Sequence, residues 1–197
     1  SGRIAVVHNG VIENYEPIKE RLLRDGHEFR SSTDTEVLAH LIGVHYERCC
    51  AERLDDPLTE AVSAAVREVI GTYGIAVLCS EQPGVMVGAR RGSPLIIGIG
   101  NGENFLTSDA NAVVAHTRQV VFLNDYDVAT VTAGSFEVIN LGADTADVQI
   151  SKLEFEAEDS QRGEYEHFML KEIYEQPKTV ENALRGRIDH DGATSIL

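Results

Sequence analysis

Arg3-Ile4-Ala5-Val6-Val7-His8-Asn9-Gly10-Val11-Ile12-Glu13-Asn14 stands near the start of the chain, and how it is read decides the fold. Arg3 to Val7 is a short run rich in β-branched residues, the pattern of a buried strand. His8-Asn9-Gly10 follows, and Asn-Gly is a common tight-turn pair, so the stretch predicts a strand running into a turn with a polar cluster at its end. Beyond it the period changes. Ile18, Leu22 and Leu23 recur at helical spacing between Glu16 and Arg24, with Pro17 in the first turn and Gly26 as a stop. Thr33 and Glu36 have the spacing of a capping box before a second helix carrying Val37, Leu38, Leu41, Ile42 and His45 on one face. Pro57 opens a third helix, whose Leu58, Ala61, Val62, Ala65, Val66 and Val69 form a packing stripe that ends near Gly71.

From Thr72 the chain reads as strands. Gly74 to Cys79, Val85 to Ala89, Leu95 to Ile99, Asn104 to Ser108, Gln119 to Leu123, Val128 to Thr132 and Phe136 to Asn140 are short segments parted by Gly, Pro, Asn or Asp. Ser108 to Val114 predicts a helical turn or two between strands. Glu154 to Gly163 is acidic and poor in large apolar residues, the composition of a loop or linker, and Tyr165 to Leu184 returns to helical spacing with a break expected at Pro177. A strand, then helices, then a run of strands gives an α+β fold in which helices cover sheets.

Composition narrows the function. The chain has 197 residues, 43% of them hydrophobic, enough for one domain with a sizeable core. Against 32 acidic residues stand 17 Lys and Arg, a formal charge of −15 that repels phosphate backbones and anionic membrane surfaces alike. Neither nucleic acid nor a membrane is an expected partner, and no apolar run approaches the roughly 20 residues of a spanning helix. A cytoplasmic location follows as the expectation. The three cysteines, Cys49, Cys50 and Cys79, have neither disulfide nor metal spacing and read as small buried hydrophobes in a reducing compartment.

Four constellations are candidates for chemistry. Asn9 and Gly10 are plainly read as a turn, but a side-chain amide beside a glycine N–H also supplies two donors able to converge on one oxygen, as an oxyanion hole requires. Asp34, before an apolar helix, reads as a cap, or alternatively as the acceptor for a ligand ammonium. His40 and His45 lack a third ligand at metal spacing and read as packing residues, with no metal site expected. Gly98-x-Gly100-x-Gly102 lacks the lysine of a phosphate loop and joins two strands, so it reads as a turn.

Taken together, Val6-Val7-His8-Asn9-Gly10-Val11-Ile12-Glu13-Asn14 and Ser32-Thr33-Asp34-Thr35-Glu36-Val37 closely resemble the class II, N-terminal-nucleophile glutamine amidotransferases. Within that class, Phe168-Met169-Leu170-Lys171-Glu172-Ile173-Tyr174-Glu175-Gln176-Pro177 is similar to the segment leaving the glutaminase domain in the family of sugar-phosphate aminotransferases that form glucosamine 6-phosphate from fructose 6-phosphate. The resemblance also takes in Ala89-Arg90-Arg91-Gly92-Ser93-Pro94-Leu95 and Thr107-Ser108-Asp109. It implies a four-layer αββα sandwich, with residues 1–164 as a partial amidotransferase domain and 165–197 as an exit segment towards a sugar-isomerase domain. It implies hydrolysis of the glutamine side-chain amide by an N-terminal cysteine and transfer of the ammonia, with no cofactor. Asn9 and Gly10 would form the oxyanion hole, and Gly10 and Asp34 would bind L-glutamine.

Two departures accompany the resemblance. The family's Cys-Gly-Ile-Val-Gly start and Arg-Trp-Ala-Thr-His-Gly segment are absent, and the isomerase domain is not included, so the chain is expected to begin inside the domain, without a nucleophile of its own, and to be inactive alone. Ser1 is no substitute, because a strand rising about 3.3 Å per residue would put it on the order of 26 Å from Asn9. Missing leading strands would leave open sheet edges and an apolar face, so self-association is expected, or cover of those edges by another copy or by remodelled segments. Two alternatives stand beside this reading: the glutaminase domain of another class II enzyme, such as an amidophosphoribosyltransferase or asparagine synthetase, and a non-catalytic binding module.

Overall fold

The computed structural model describes residues 2–153 and 165–184. The expectations for Ser1, for a loop over Glu154 to Gly163 and for the segment after Leu184 lie outside the described residues. The chain divides into two compact units, Ser1–Phe155 and Glu156–Leu197.

In the first unit, β1 (Ile4–Ile12) is followed by α1 (Tyr15–Arg24), α2 (Asp34–Ala51) and α3 (Pro57–Glu68), and then by β2 (Gly71–Cys79), β3 (Met86–Arg91), β4 (Ile96–Ile99), β5 (Asn104–Thr107), β6 (Gln119–Phe122), β7 (Asp127–Val131), β8 (Phe136–Asn140) and β9 (Ile150–Lys152). All strand pairs within the two sheets are antiparallel. One sheet has the order β1-β2-β3-β7-β8 and the other β5-β4-β6-β9. The α+β sandwich is therefore the architecture found, with helical, sheet and sheet layers in this unit. A short 3-10 turn, Ala110–Ala112, capped by the Asp109 side chain on the Asn111 N–H, stands where a helical turn or two was expected.

Two apolar layers hold the unit together. Ile18 and Leu22 of α1, Leu38, Leu41 and Ile42 of α2, and Leu58, Ala61 and Val62 of α3 pack on Ile75, Val77, Val87 and Val128 of the first sheet. Ala129 and Val131, on the opposite face of that sheet, meet Ile97, Val121, Leu95 and Leu123 of the second sheet and its flanks. Strand alternation makes this possible, because Val87 and Ala89 turn to the helices while Met86 and Gly88 turn to the second sheet. Gly88 is needed there, since a Cβ at this position would lie 2.9 Å from Leu106 Cδ1.

Several sequence expectations meet corrections. His8-Asn9-Gly10 is not a turn: β1 runs straight through it, pairing Asn9 with Gly74 and Gly10 with Tyr73. Gly10 uses its permitted positive φ of 139° within the ladder, where the facing strand comes too close for a Cβ, rather than in a reversal. Strand β9 was missed, because its three residues are all exposed and carry no alternation. Cys50 is exposed while Cys49 and Cys79 are buried, since adjacent helical residues point about 100° apart. In the second unit, α4 (Phe168–Leu184) continues through Pro177 instead of breaking there. The Gly98 to Gly102 segment is the turn of the β4–β5 hairpin, closed by the Gly100 N–H donating to the Glu103 carbonyl at 2.9 Å.

The start of α2 is tied down from both sides. Thr33 accepts from the Glu36 N–H at 3.3 Å, but the Glu36 carboxylate does not return the bond to Thr33 as a simple capping box would. It reaches further back, accepting from the Arg30 N–H at 2.8 Å, and from the Ser31 N–H and hydroxyl at 2.6 Å each. The Ser31 hydroxyl and the Arg30 N–H hold the Glu36 carboxyl down at about 2, below its ordinary 4.5. A depressed folded pKa contributes stability above the unfolded value that is lost as pH falls through the folded one. Urea unfolding between pH 4.5 and 2 should show this loss in the wild type and a shallower one in Glu36→Gln. Equal slopes in the two proteins would show that the clasp is not coupled to folding.

Candidate active site

The site is built on the open edge of the first sheet. Strand β1 lies at that edge and pairs with β2. Its ladder is bracketed by the Ser80 N–H donating to the Arg3 carbonyl and the Glu13 N–H donating to the Ile70 carbonyl. Because antiparallel bonds alternate, these brackets put the β2-directed bonds at odd-numbered residues. The N–H groups of His8, Gly10 and Ile12 therefore point away from β2. Side chains alternate in the other direction: Ile4, Val6 and Ile12 pack towards the helices, whereas Val7, Asn9 and Val11 lie on the opposite, exposed face. The Asn9 side chain and the Gly10 N–H thus both open onto solvent, one from the face of the sheet and the other from its edge.

Gly10 is the only residue type this ladder position accepts, since a Cβ would sit 2.1 Å from the Thr72 carbonyl oxygen. Across from Asn9, Gly74 allows Ser93 and Pro94 to cross the sheet, as a Cβ there would come within 2.9 Å of the Pro94 carbonyl. The loop from Arg91 to Pro94 thereby borders the ground around Asn9. The Arg90 guanidinium anchors it, donating to the Ser93 carbonyl at 3.0 Å and to the Leu123 carbonyl.

Asp34 reaches the same edge from the first turn of α2. It is not the helix cap, a role taken by Thr33. Its Oδ2 accepts the Ile12 N–H at 2.8 Å, while Oδ1 lies 3.5 Å from the Thr35 hydroxyl and 3.9 Å from His8 Nδ1. The carboxylate is 22% exposed, so it is partly desolvated yet reachable. Gly10 and Ile12 are two residues apart on one strand, roughly 7 Å, a spacing comparable with an extended glutamine side chain. Two neighbouring donors and, one rung along, a carboxylate can hold a polarised carbonyl oxygen at one end of a ligand and an ammonium at the other.

The structure thus brings Asn9, Gly10 and Asp34 to one edge. His40 and His45 lie elsewhere, His40 Nδ1 at 3.2 Å from His27 Nδ1 and His45 Nε2 at 2.7 Å from Glu68 Oε1. The cysteines are distant as well: Cys79 pairs with Ile4, six residues or roughly 20 Å down the strand from Gly10, and Cys50 lies near the far end of α2. Sequence reasoning missed His8 and Thr35, which stand behind Asp34. The signal was present in the alternation, because an even-numbered position of β1 faces the helices and a histidine there requires a partner.

Residues 1–115 match the family model described as a glutamine amidotransferase domain. The chain belongs to the glutamine amidotransferase family. Curated relatives named glutamine–fructose-6-phosphate aminotransferase (isomerizing) resemble it over nearly its whole length. The protein of Caldanaerobacter subterraneus is 42% identical over 191 residues, covering 97% of this chain. Those of Chlorobaculum tepidum and Haemophilus influenzae are 45% and 44% identical, covering 95% and 97% of it. The chain spans 30% of the length of each of those relatives. Among solved structures, the glutamine phosphoribosylpyrophosphate amidotransferase of B. subtilis, complexed with ADP and GMP, superposes with a TM-score of 0.53 at 24% identity, over 68% of this chain and 28% of its own. That likeness supports the fold. Among the described residues no helix is long and apolar enough to cross a membrane.

Proposed function

We propose that this chain supplies the oxyanion-stabilising and ammonium-binding part of a glutaminase site, and that its parent polypeptide uses the released ammonia to convert fructose 6-phosphate into glucosamine 6-phosphate. The observation that carries the reading is the meeting of Asn9, the Gly10 N–H and Asp34 on one open sheet edge. The Asn9 amide and the Gly10 N–H would donate to the oxygen of the glutamine side-chain amide as it takes on negative charge during attack on its carbon. Donors aimed in advance at such an oxygen contribute roughly 10²- to 10³-fold each. Asp34 would hold the α-ammonium and fix the substrate end to end. The nucleophile is a group that the described residues do not place at this edge.

The similarity to sugar-phosphate aminotransferases over nearly the whole chain supports this branch above other class II amidotransferases, and above a binding module without catalysis. We assign residues 1–164 to the amidotransferase domain and 165–197 to the exit segment towards an isomerase domain of the same polypeptide, in a cytoplasmic enzyme. Val7, Val11 and Leu78 are 74%, 60% and 51% exposed on the face that carries Asn9, an apolar surface that supports self-association or cover by other segments beside the Asn9 amide. The test is an ammonia-release assay on protein produced from the whole reading frame. Hydrolysis of L-glutamine is expected, together with a loss of at least about 100-fold in kcat for Asn9→Ala. A protein that releases no ammonia from glutamine, or an Asn9→Ala variant as active as wild type, would overturn the proposal.

A further inference from the structure

His8 lies under the site with its side chain only 1% exposed. Its Nδ1 is 3.2 Å from Thr35 Oγ1, and its Nε2 is buried without a hydrogen-bond partner. These facts select a ring tautomer. The Nε2–H form would strand a donor, and buried N–H groups without acceptors are the rarer kind of orphan. The Nδ1–H form strands only a lone pair, and it points the N–H at Thr35 and towards the Asp34 carboxylate. Thr35, with two lone pairs and one proton, then accepts from His8 and turns its own O–H towards Asp34 Oδ1 at 3.5 Å. At that length the last link orients and polarises more than it bonds. With the Ile12 N–H on Oδ2, each carboxylate oxygen faces a donor held by the fold, which fixes its orientation.

We propose that His8 and Thr35 are positioning residues acting through Asp34: the imidazole fixes the Thr35 hydroxyl, and the hydroxyl keeps the carboxylate aimed at the open edge for a substrate α-ammonium. The identity of that substrate rests on the glutamine reading above, whereas the relay itself is a property of the free protein.

Thr35→Val keeps the side chain's shape and removes its proton. In protein from the whole reading frame it should weaken L-glutamine binding roughly threefold to tenfold, less than the weight of a full hydrogen bond to a charged group. It should leave unchanged the affinity for glutaramate, which carries the same amide without the α-amino group, and Thr35→Ser should restore glutamine binding. Equal weakening towards both compounds, or none towards either, overturns the relay, the first because it marks a general loosening of the site. Ring ¹⁵N shifts of His8, assigned by their loss in His8→Gln, test the relay without ligand. Protonated Nδ1 with bare Nε2 is expected, and a protonated Nε2 overturns it. A wild type that binds neither compound sinks the glutamine reading, and the ring spectrum then decides the relay alone.

Discussion

Asp34→Asn is expected to raise the KM for L-glutamine by roughly 30-fold to several thousand-fold while leaving the melting temperature nearly unchanged. Removing one member of a partly buried charge pair costs about 2 to 5 kcal/mol in binding, and the substrate ammonium would meet a neutral amide instead of a carboxylate. Asn is the informative replacement because its oxygen can still accept the Ile12 N–H that Asp34 Oδ2 holds at 2.8 Å, so the join between strand and helix survives. Ammonia-release kinetics beside thermal melts separate the two effects. A variant with the wild-type KM would show that the carboxylate serves only to cap the strand edge, and the substrate assignment of Asp34 would fall.

Gly10→Ala should be among the most damaging single methyls at the described residues. Its Cβ would lie 2.1 Å from the Thr72 carbonyl oxygen and 2.7 Å from the Thr72 carbonyl carbon, both backbone atoms that cannot rotate aside, at a φ of 139°. Strain of about 1 to 3 kcal/mol for the backbone conformation adds to about 1 to 3 kcal/mol for overpacking. Any protein that still folds should lose roughly 10²- to 10³-fold in kcat, because relief of the clash must move the N–H aimed at the oxyanion. Gly26→Ala is the matched control, with φ of 90° and open space around its Cβ, so only the conformational part remains. Urea unfolding of the two variants reads the difference directly, and equal destabilisation would show that β1 and β2 can part at this point without cost.

How far the sequence could be read varied with the kind of signal. The strands from Gly71 to Asn140 were legible because Gly, Pro, Asn and Asp separate them and because each is long enough to show an apolar face. Helices α1 to α3 were legible through their stripes, since most of the residues that recur at helical spacing pack in the core against the sheet, although Leu23 of α1 is half exposed. The Asn9-Gly10 pair misled: Asn-Gly usually reports a reversal, whereas here glycine was required by a carbonyl on a strand distant in sequence, which no local window contains. Pro177 misled in the opposite way, being accommodated within α4. The three site candidates were individually weak in the sequence and gained weight only from their joint order and spacing. Their geometry came from tertiary pairing, which also revealed that Thr33, and not Asp34, caps α2.

The pairing of β1 with β2 has a kinetic side. Even its shortest link, Ile12 with Gly71, encloses all three helices, and its longest joins Ile4 to Cys79. Closing a loop of that length costs about 3 to 4 kcal/mol of chain entropy before any contact repays it. Helices form locally and early, while non-local strand pairs wait for collapse. Strand β1, held in its sheet by β2 and on its other side by packing against the helices, is among the last elements able to dock, and Asn9 and Gly10 ride on it. Competence at this edge is therefore a late event in the life of each new molecule: a chain can be compact and helical, and pass most tests for being folded, before it has a site at all.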